Sequence, residues 1–183
     1  MALFGISRLD SGETLVDGKP ADFTSNQSAI AAGIAYVSED RLALGINLRQ
    51  SVADNMSITV VDRLANRFGL VAPERRVSLA RRWIERLKIR ASGPLAAAQT
   101  LSGGNQQRVV LGKWLATQPR VLILDGPTVG VDIRNKEGIH ELVRALARDN
   151  MAILLISDEV SEVYCNSDRV LHMRGGRIAG EFV

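Results

Sequence analysis

An α/β fold built on a parallel sheet is predicted for this 183-residue chain by three features. Val121-Leu122-Ile123-Leu124 and the run from Ala152 to Ile156 are short and apolar throughout, as strands buried on both faces are. Stripes of helical period lie around them: Ala80, Trp83, Ile84 and Leu87, then Ile139, Leu142, Val143 and Leu146. Strand and helix patterns therefore alternate, which is the signature of a parallel sheet covered by helices on both faces.

The elements follow in order. Thr14-Leu15-Val16 is flanked by Asp10-Ser11-Gly12-Glu13 and Asp17-Gly18-Lys19-Pro20, and the Asp-Gly pair predicts a tight turn between short antiparallel strands. The Ala-rich residues 28–33 predict a helical turn ending at Gly33, and Ile34-Ala35-Tyr36-Val37 a short buried strand. Pro73 suits the first turn of the helix that carries Trp83, with Arg81, Arg82 and Arg86 on its solvent side. Gly93-Pro94 closes that segment. Glu159 to Cys165 reads as a short helix, and Arg169 to Met173 and Arg177 to Phe182 as strands around Gly175-Gly176.

Composition narrows the function. With 46% hydrophobic and 4% aromatic residues the core is aliphatic, and disorder is excluded. One cysteine, Cys165, excludes a disulfide scaffold and reads as a small buried apolar residue. No apolar run approaches the ~20 residues of a membrane helix. The net charge of +3 hides a middle third, 61–120, with twelve Lys/Arg against three Asp/Glu. Such a stretch fits nucleic acid or lipid headgroups, or a solvated helix face. Aromatics for base stacking are sparse there and Arg outnumbers Lys nineteen to four throughout, so the solvated face is the better reading. His140 and His172 have no partner at metal-ligand spacing in the sequence and read as structural.

Chemistry concentrates in two segments. In Leu101-Ser102-Gly103-Gly104-Asn105-Gln106-Gln107-Arg108, Ser102 is placed to cap a helix whose glycines leave backbone amides open, a phosphate-binding arrangement. In Val121 to Asp125 a carboxylate ends a buried strand, where magnesium–phosphate chemistry sits in P-loop enzymes. Pro127-Thr128 and Gly130-Val131-Asp132 follow.

These segments resemble the ATP-binding cassettes of ABC transporters, over essentially the whole chain. Leu101 to Gln107 is similar to the signature motif, Val121 to Asp125 to Walker B, and Gly130-Val131-Asp132 to the D-loop. Asn105-Gln106-Gln107 resembles the form found in monosaccharide importers (ribose, galactose, xylose). Tyr36-Val37-Ser38-Glu39-Asp40-Arg41 and Ser51-Val52-Ala53-Asp54-Asn55-Met56 resemble the second cassette of their two-cassette ATPase subunits.

The resemblance implies a P-loop NTPase-like cassette over 1–183, with a parallel sheet, an antiparallel N-terminal portion and a helical subdomain over about 50–115. It implies ATP held between two cassettes, with Ser102, Gly103, Gly104 and Gln106 facing the nucleotide of a partner cassette. Asp125, with Glu39 in place of the Q-loop Gln, would hold Mg²⁺, and Asp132 would lie at the cassette contact. The implied partners are another cassette, transmembrane permease subunits and, indirectly, a sugar-binding protein, with nucleic acid disfavoured. The implied location is the cytoplasmic face of the plasma membrane.

The departures matter as much. No GxxxxGK[ST] occurs: Gly18-Lys19 is followed by Pro and Gly112-Lys113 by Trp. By resemblance the chain starts near the end of the helix after that Walker A loop, so its Walker A strand and loop are expected to be absent. Gly126 stands where active members carry the water-orienting Glu, and Asp158 where they carry the switch His. The expectation is a chain without hydrolytic activity of its own, serving in a composite site or as a structural or regulatory dimer partner. A marginal or self-associating fold is also expected, because apolar strand edges lose a neighbour.

Overall fold

A computed structural model describes residues 1–183, the side chain of Arg134 excepted. Its centre is a parallel sheet of three strands in the order β3 (Ile34–Val37), β4 (Val121–Asp125), β5 (Ala152–Ile156). Val37 lies opposite Leu124, and Asp125 opposite Ile156. The strand ends at 37, 125 and 156 therefore line up along one edge, where open α/β sheets place their ligands.

The N-terminal hairpin forms as the Asp-Gly pair predicts. β1 (Leu15–Val16) and β2 (Lys19–Pro20) pair antiparallel, with Asp17 and Gly18 both in the left-handed region. Next comes α1 (Asn26–Ala31), started by a reciprocal Ser25/Ser28 capping box and ended by Gly33 at φ 83°. Phe4, Phe23 and Ala29 pack with Ile34, Tyr36 and Ile123 on one face of β3 and β4.

Helices fill the middle. α2 (Val52–Ser57) and α3 (Val61–Leu64) precede α4 (Pro73–Arg86) and α5 (Gly103–Leu115). α2 has no strong apolar stripe, but Ser51 and Asp54 signal its start: the Ser51 hydroxyl accepts from the Asp54 amide and donates to its carboxylate. Leu79, Ala80 and Trp83 of α4, and Leu87 directly after it, join Met56 and Leu111 in a core that continues through Val109 and Val110 to Ala35, Leu122, Leu124 and Ile139. α5 thus belongs to the helical layer and the sheet layer at once. α6 (Ile133–Arg148) and α7 (Val160–Asn166) follow β4 and β5, and β6 (Val170–Arg174) pairs antiparallel with β7 (Arg177–Phe182).

Two expectations need correction. The sheet is not covered on both faces along its whole width: in β5, Leu154 is 39% and Ile156 45% exposed, alternating with half-buried Ile153 and Leu155. The reason is that the N-terminal layer reaches only β3 and β4. Cys165 is exposed rather than buried, because it falls on the solvent side of α7.

The basic middle third also resolves. Arg63, Arg75 and Arg108 donate to the carbonyls of Thr117, Leu64 and Leu87. Arg76, Arg86 and Arg120 pair with Asp54, Asp149 and Asp17. Lys113 is buried and donates to the Gly45 carbonyl at 2.5 Å. Seven of the twelve basic groups therefore tie the chain to itself, which favours a structural role over a nucleic-acid surface.

Burial pushes the Lys113 ammonium down from 10.5 to about 8. Between that value and the unfolded value near ~10.4, the unfolded chain holds a proton that the folded chain has released. Stability should therefore climb as pH rises from about 8 toward 10, and stay penalised by a constant amount below 8. Lys113→Met, which keeps the length and drops the charge, is expected to flatten this climb and to raise stability at pH 7 on the order of 1 kcal/mol. Urea unfolding at pH 7, 8, 9 and 10 measures both; an unchanged slope contradicts it.

Candidate functional site

The residues singled out by sequence gather at the C-terminal edge of the parallel sheet. Asp125 ends β4, and the Tyr36 hydroxyl, one residue before the end of β3, donates to its Oδ2 at 2.8 Å. Burial and this carboxylate push the Tyr36 phenol up to about 12, so it remains a donor at any working pH. Asp125 is held by that bond in one orientation.

Glu39 follows β3 and is exposed. It lies against Gly126: a Cβ at 126 would meet Glu39 Cγ at 3.0 Å and Val129 Cγ2 at 3.0 Å, and Gly126 has φ 53°. The glycine is thus required twice, by its left-handed backbone and by the space Glu39 fills. A glutamate at 126 does not fit this arrangement without displacement of Glu39.

Arg41 was not marked by sequence as a site residue, and its position explains why: nothing local predicts a contact 88 residues away. Its Nη1 donates to the Val129 carbonyl at 3.2 Å and its Nη2 to the Gly130 carbonyl at 3.4 Å. A pocket of about 350 Å³ opens here, lined by Glu39, Asp40, Arg41, Leu42, Val129 and Gly130.

The start of α5 reaches the same place. Ser102 stands at the N-cap position and is exposed, but its hydroxyl does not cap: it accepts from Asn105 Nδ2 at 2.9 Å. Gly103 lies against Arg41 Nη2 and the Gly130 carbonyl, each about 3.2–3.3 Å from a Cβ built there. Gly104 is buried, and a Cβ there would meet Asn135 Cβ of α6 at 2.6 Å. Its lack of a side chain therefore also lets α5 pack closely against α6. Gln106 turns inward, with Nε2 donating to the Leu101 carbonyl at 3.0 Å. Asp132 caps α6 by accepting from the Asn135 amide at 3.2 Å.

Asp158 is exposed just after β5. Beside it lies a feature the sequence did not mark. Glu162 of α7 is buried and accepts from Thr128 Oγ1 at 2.9 Å, Ser157 Oγ at 2.5 Å and His140 Nε2 at 2.9 Å. Burial alone would raise this carboxyl, but the three donors outweigh it and hold the group below its ordinary value. His140 is therefore a structural donor. An acidic residue one helical turn from a hydroxyl gives too weak a sequence signal to identify such a cluster.

Among the described residues no group of three or more His, Cys, Asp or Glu is placed to hold a metal. Asp125 and Glu39 offer the hard oxygen donors that magnesium takes. A magnesium ion at this edge would need phosphate oxygens to complete its shell.

Comparison with known proteins adds the following. The family model described as "ABC transporter" matches residues 1–129. The chain is 44% identical over 181 residues to "Ribose import ATP-binding protein RbsA 1" of Agrobacterium fabrum, covering 99% of this chain and 35% of that protein. It is 43% identical over 180 residues to "Putative ribose/galactose/methyl galactoside import ATP-binding protein 1" of Rhizobium etli, covering 98% of this chain and 34% of that protein. The chain thus spans about a third of the length of these curated relatives. Among solved structures it is similar to a nucleotide-free ATP-binding cassette from an ABC transporter, with TM-score 0.79 and 21% identity over 98% of this chain and 72% of that one. A dimeric cassette in a post-hydrolysis state bound to ADP and Pi gives TM-score 0.77 and 19% identity over 97% and 75%. These two likenesses establish the fold: an α/β ABC cassette.

Proposed function

From the premise that this chain belongs to the ABC transporter family, we propose that it is an ATP-binding component of a sugar importer and supplies the signature half of a composite ATP site. The observation that carries this reading is the approach of Gly103, next to the exposed Ser102, to Arg41 and Gly130 in the segments that follow β3 and β4. The exposed Ser102 hydroxyl and the positive end of α5 face outward, as a γ-phosphate held by a second cassette requires. The import names of the relatives at 44% and 43% identity support a sugar as the cargo.

The residues divide as follows. Ser102 and Gly103 approach the partner's nucleotide, and Gln106 holds the Leu101 turn behind them. Gly104 lets α5 close on α6, so Asp132 at the start of α6 keeps a fixed distance from the signature. Asp125, oriented by Tyr36, would carry magnesium with Glu39 once phosphates are supplied; the ion would neutralise their charge. Residues 50–115 form the helical subdomain. A groove of about 520 Å³ at its border, lined by Leu42, Leu44, Ile46, Asn55, Ile58 and Lys113, suits a transmembrane permease subunit. Leu42, Leu44 and Ile58 are exposed there, leaving apolar area for a partner to bury.

The chain has no phosphate loop of the GxxxxGK[ST] type, so its affinity for ATP alone should be weak. Titration calorimetry with ATP and Mg²⁺ is expected to show binding only when a cassette bearing such a loop is added. Tight binding by the chain alone contradicts the proposal.

Gly126 favours a second reading, in which the cassette is a structural or regulatory dimer partner with no part in turnover. Its left-handed backbone and the Glu39 and Val129 side chains against it make a glutamate at 126 strained unless those neighbours shift.

A further inference from the structure

Glu162 takes no part in the site as proposed above, yet it is among the most elaborately satisfied side chains of the protein. Its side chain is 2% exposed. Oε1 accepts from Thr128, in the segment between β4 and α6, and from His140 of α6; Oε2 accepts from Ser157, directly after β5. Three separate pieces of chain thus meet on one carboxylate carried by a fourth, α7. A carboxylate accepts several donors at once and has no proton of its own to place, so no neutral side chain of this size serves all three equally. Charge-assisted bonds out of water are strong, and losing one partner is felt by the others.

The two segments that carry the hydroxyls are the ones with work assigned to them. Residues 126–132 include Gly130 and Asp132, and they are gripped from outside by Arg41 on the Val129 and Gly130 carbonyls. Residues 157–159 include Asp158, and the Glu159 amide donates back to Ser157 Oγ at 3.0 Å. Beside the Glu162 carboxylate, the Gly126 amide bonded to the Ile156 carbonyl at 2.9 Å joins the two segments at their roots, where the strands end, and Lys136 of α6 donates to Glu159 at 2.5 Å.

We propose that Glu162 is a positioning residue that clamps the loop after β4 to the loop after β5, so that the cassette-contact segment 126–132 and the switch segment 157–159 move as one unit. The clamp deepens the composite-site reading and rests on it for the roles of the two loops. Its consequence is that movement of the 157–159 segment is transmitted to Asp132 at the proposed cassette contact, through Ser157, Glu162 and Thr128.

The test is amide hydrogen exchange on the full chain without nucleotide, comparing Thr128→Val and Ser157→Ala. Each removes one donor and leaves the carboxylate in place, which avoids the unfolding that Glu162→Ala risks. The effect is expected across the clamp. Thr128→Val should speed exchange at the Glu162 and Val163 amides, and Ser157→Ala at the Val129 and Val131 amides, each by about tenfold, with the β4 amides of 122–124 unchanged. A merely local role predicts acceleration confined to the mutated loop; that result, or a uniform change tracking global stability, overturns the clamp. Cross-loop acceleration in a chain that never binds ATP beside a partner cassette keeps the clamp and removes the composite-site reading. Partner-dependent ATP binding without cross-loop acceleration does the reverse.

Discussion

Ser102→Arg is expected to lower the ATP turnover of a mixed cassette pair by about 10²-fold or more. Ser102 is exposed at the start of α5, with Gly103 directly against Arg41 and the Gly130 carbonyl. An arginine there adds bulk and a mobile cation where a hydroxyl and a helix N-terminus are proposed to meet a γ-phosphate. The fold should survive, since the Ser102 side chain makes no capping bond and only accepts from Asn105. The measurement is steady-state phosphate release by the chain mixed with a cassette that bears its own phosphate loop and Walker B glutamate. Unchanged turnover, with thermal melting also unchanged, would show that the signature has no catalytic part and would establish the structural-partner reading. Wild-type ATP binding with turnover lost in the variant supports the composite site.

The isolated chain is expected to associate as its concentration rises, through the outer edge of β5. Among the described residues β3 and β5 each pair only with β4, so the parallel sheet has an open edge at either side. Leu154 and Ile156 add apolar area beside the β5 edge. Long, apolar, open edges are what other chains pair with, and natural sheets block them with charge. β5 has none: its five residues are Ala, Ile, Leu, Leu and Ile. Sedimentation velocity over a hundredfold range of concentration, a range chosen to span about 3 kcal/mol of association free energy, should show a shift from monomer to larger species. Leu154→Lys is expected to weaken that association by about 10²-fold, since a lysine in the new interface would lose its water. A monomer at every concentration, melting sharply and cooperatively, contradicts the expectation.

Sequence patterns were most reliable where one physical cause acts locally. The left-handed pair Asp17-Gly18 forces a hairpin whatever surrounds it. Pro73 begins α4, and the stripe from Ala80 to Leu87 turns inward, because periodicity alone decides which face can be buried. Asp125 at the end of β4 was legible for the same reason: a carboxylate closing an apolar strand has few other places to go. The resemblance to ABC cassettes rested on such local strings, and the family match over 1–129 agrees with it.

Other features depend on partners far along the chain. Gly104 reads as an open amide in sequence, and the structure adds a packing demand there: a Cβ would meet Asn135 Cβ of α6 at 2.6 Å. Cys165 reads as a core residue by type and is exposed by the phase of α7. Uniformly apolar β5 reads as buried on both faces, and one face is open because the N-terminal layer stops at β4. Arg41, Lys113 and Glu162 carry no local signal at all: their partners are 88, 68 and up to 34 residues away. By itself the sequence determined the strands, the helix faces and the short motifs, because backbone propensity and hydrophobic period act within a few residues. Only the tertiary structure decided which glycines are packed, which strand face stays open and which buried charges join the loops, because those depend on groups that folding brings together.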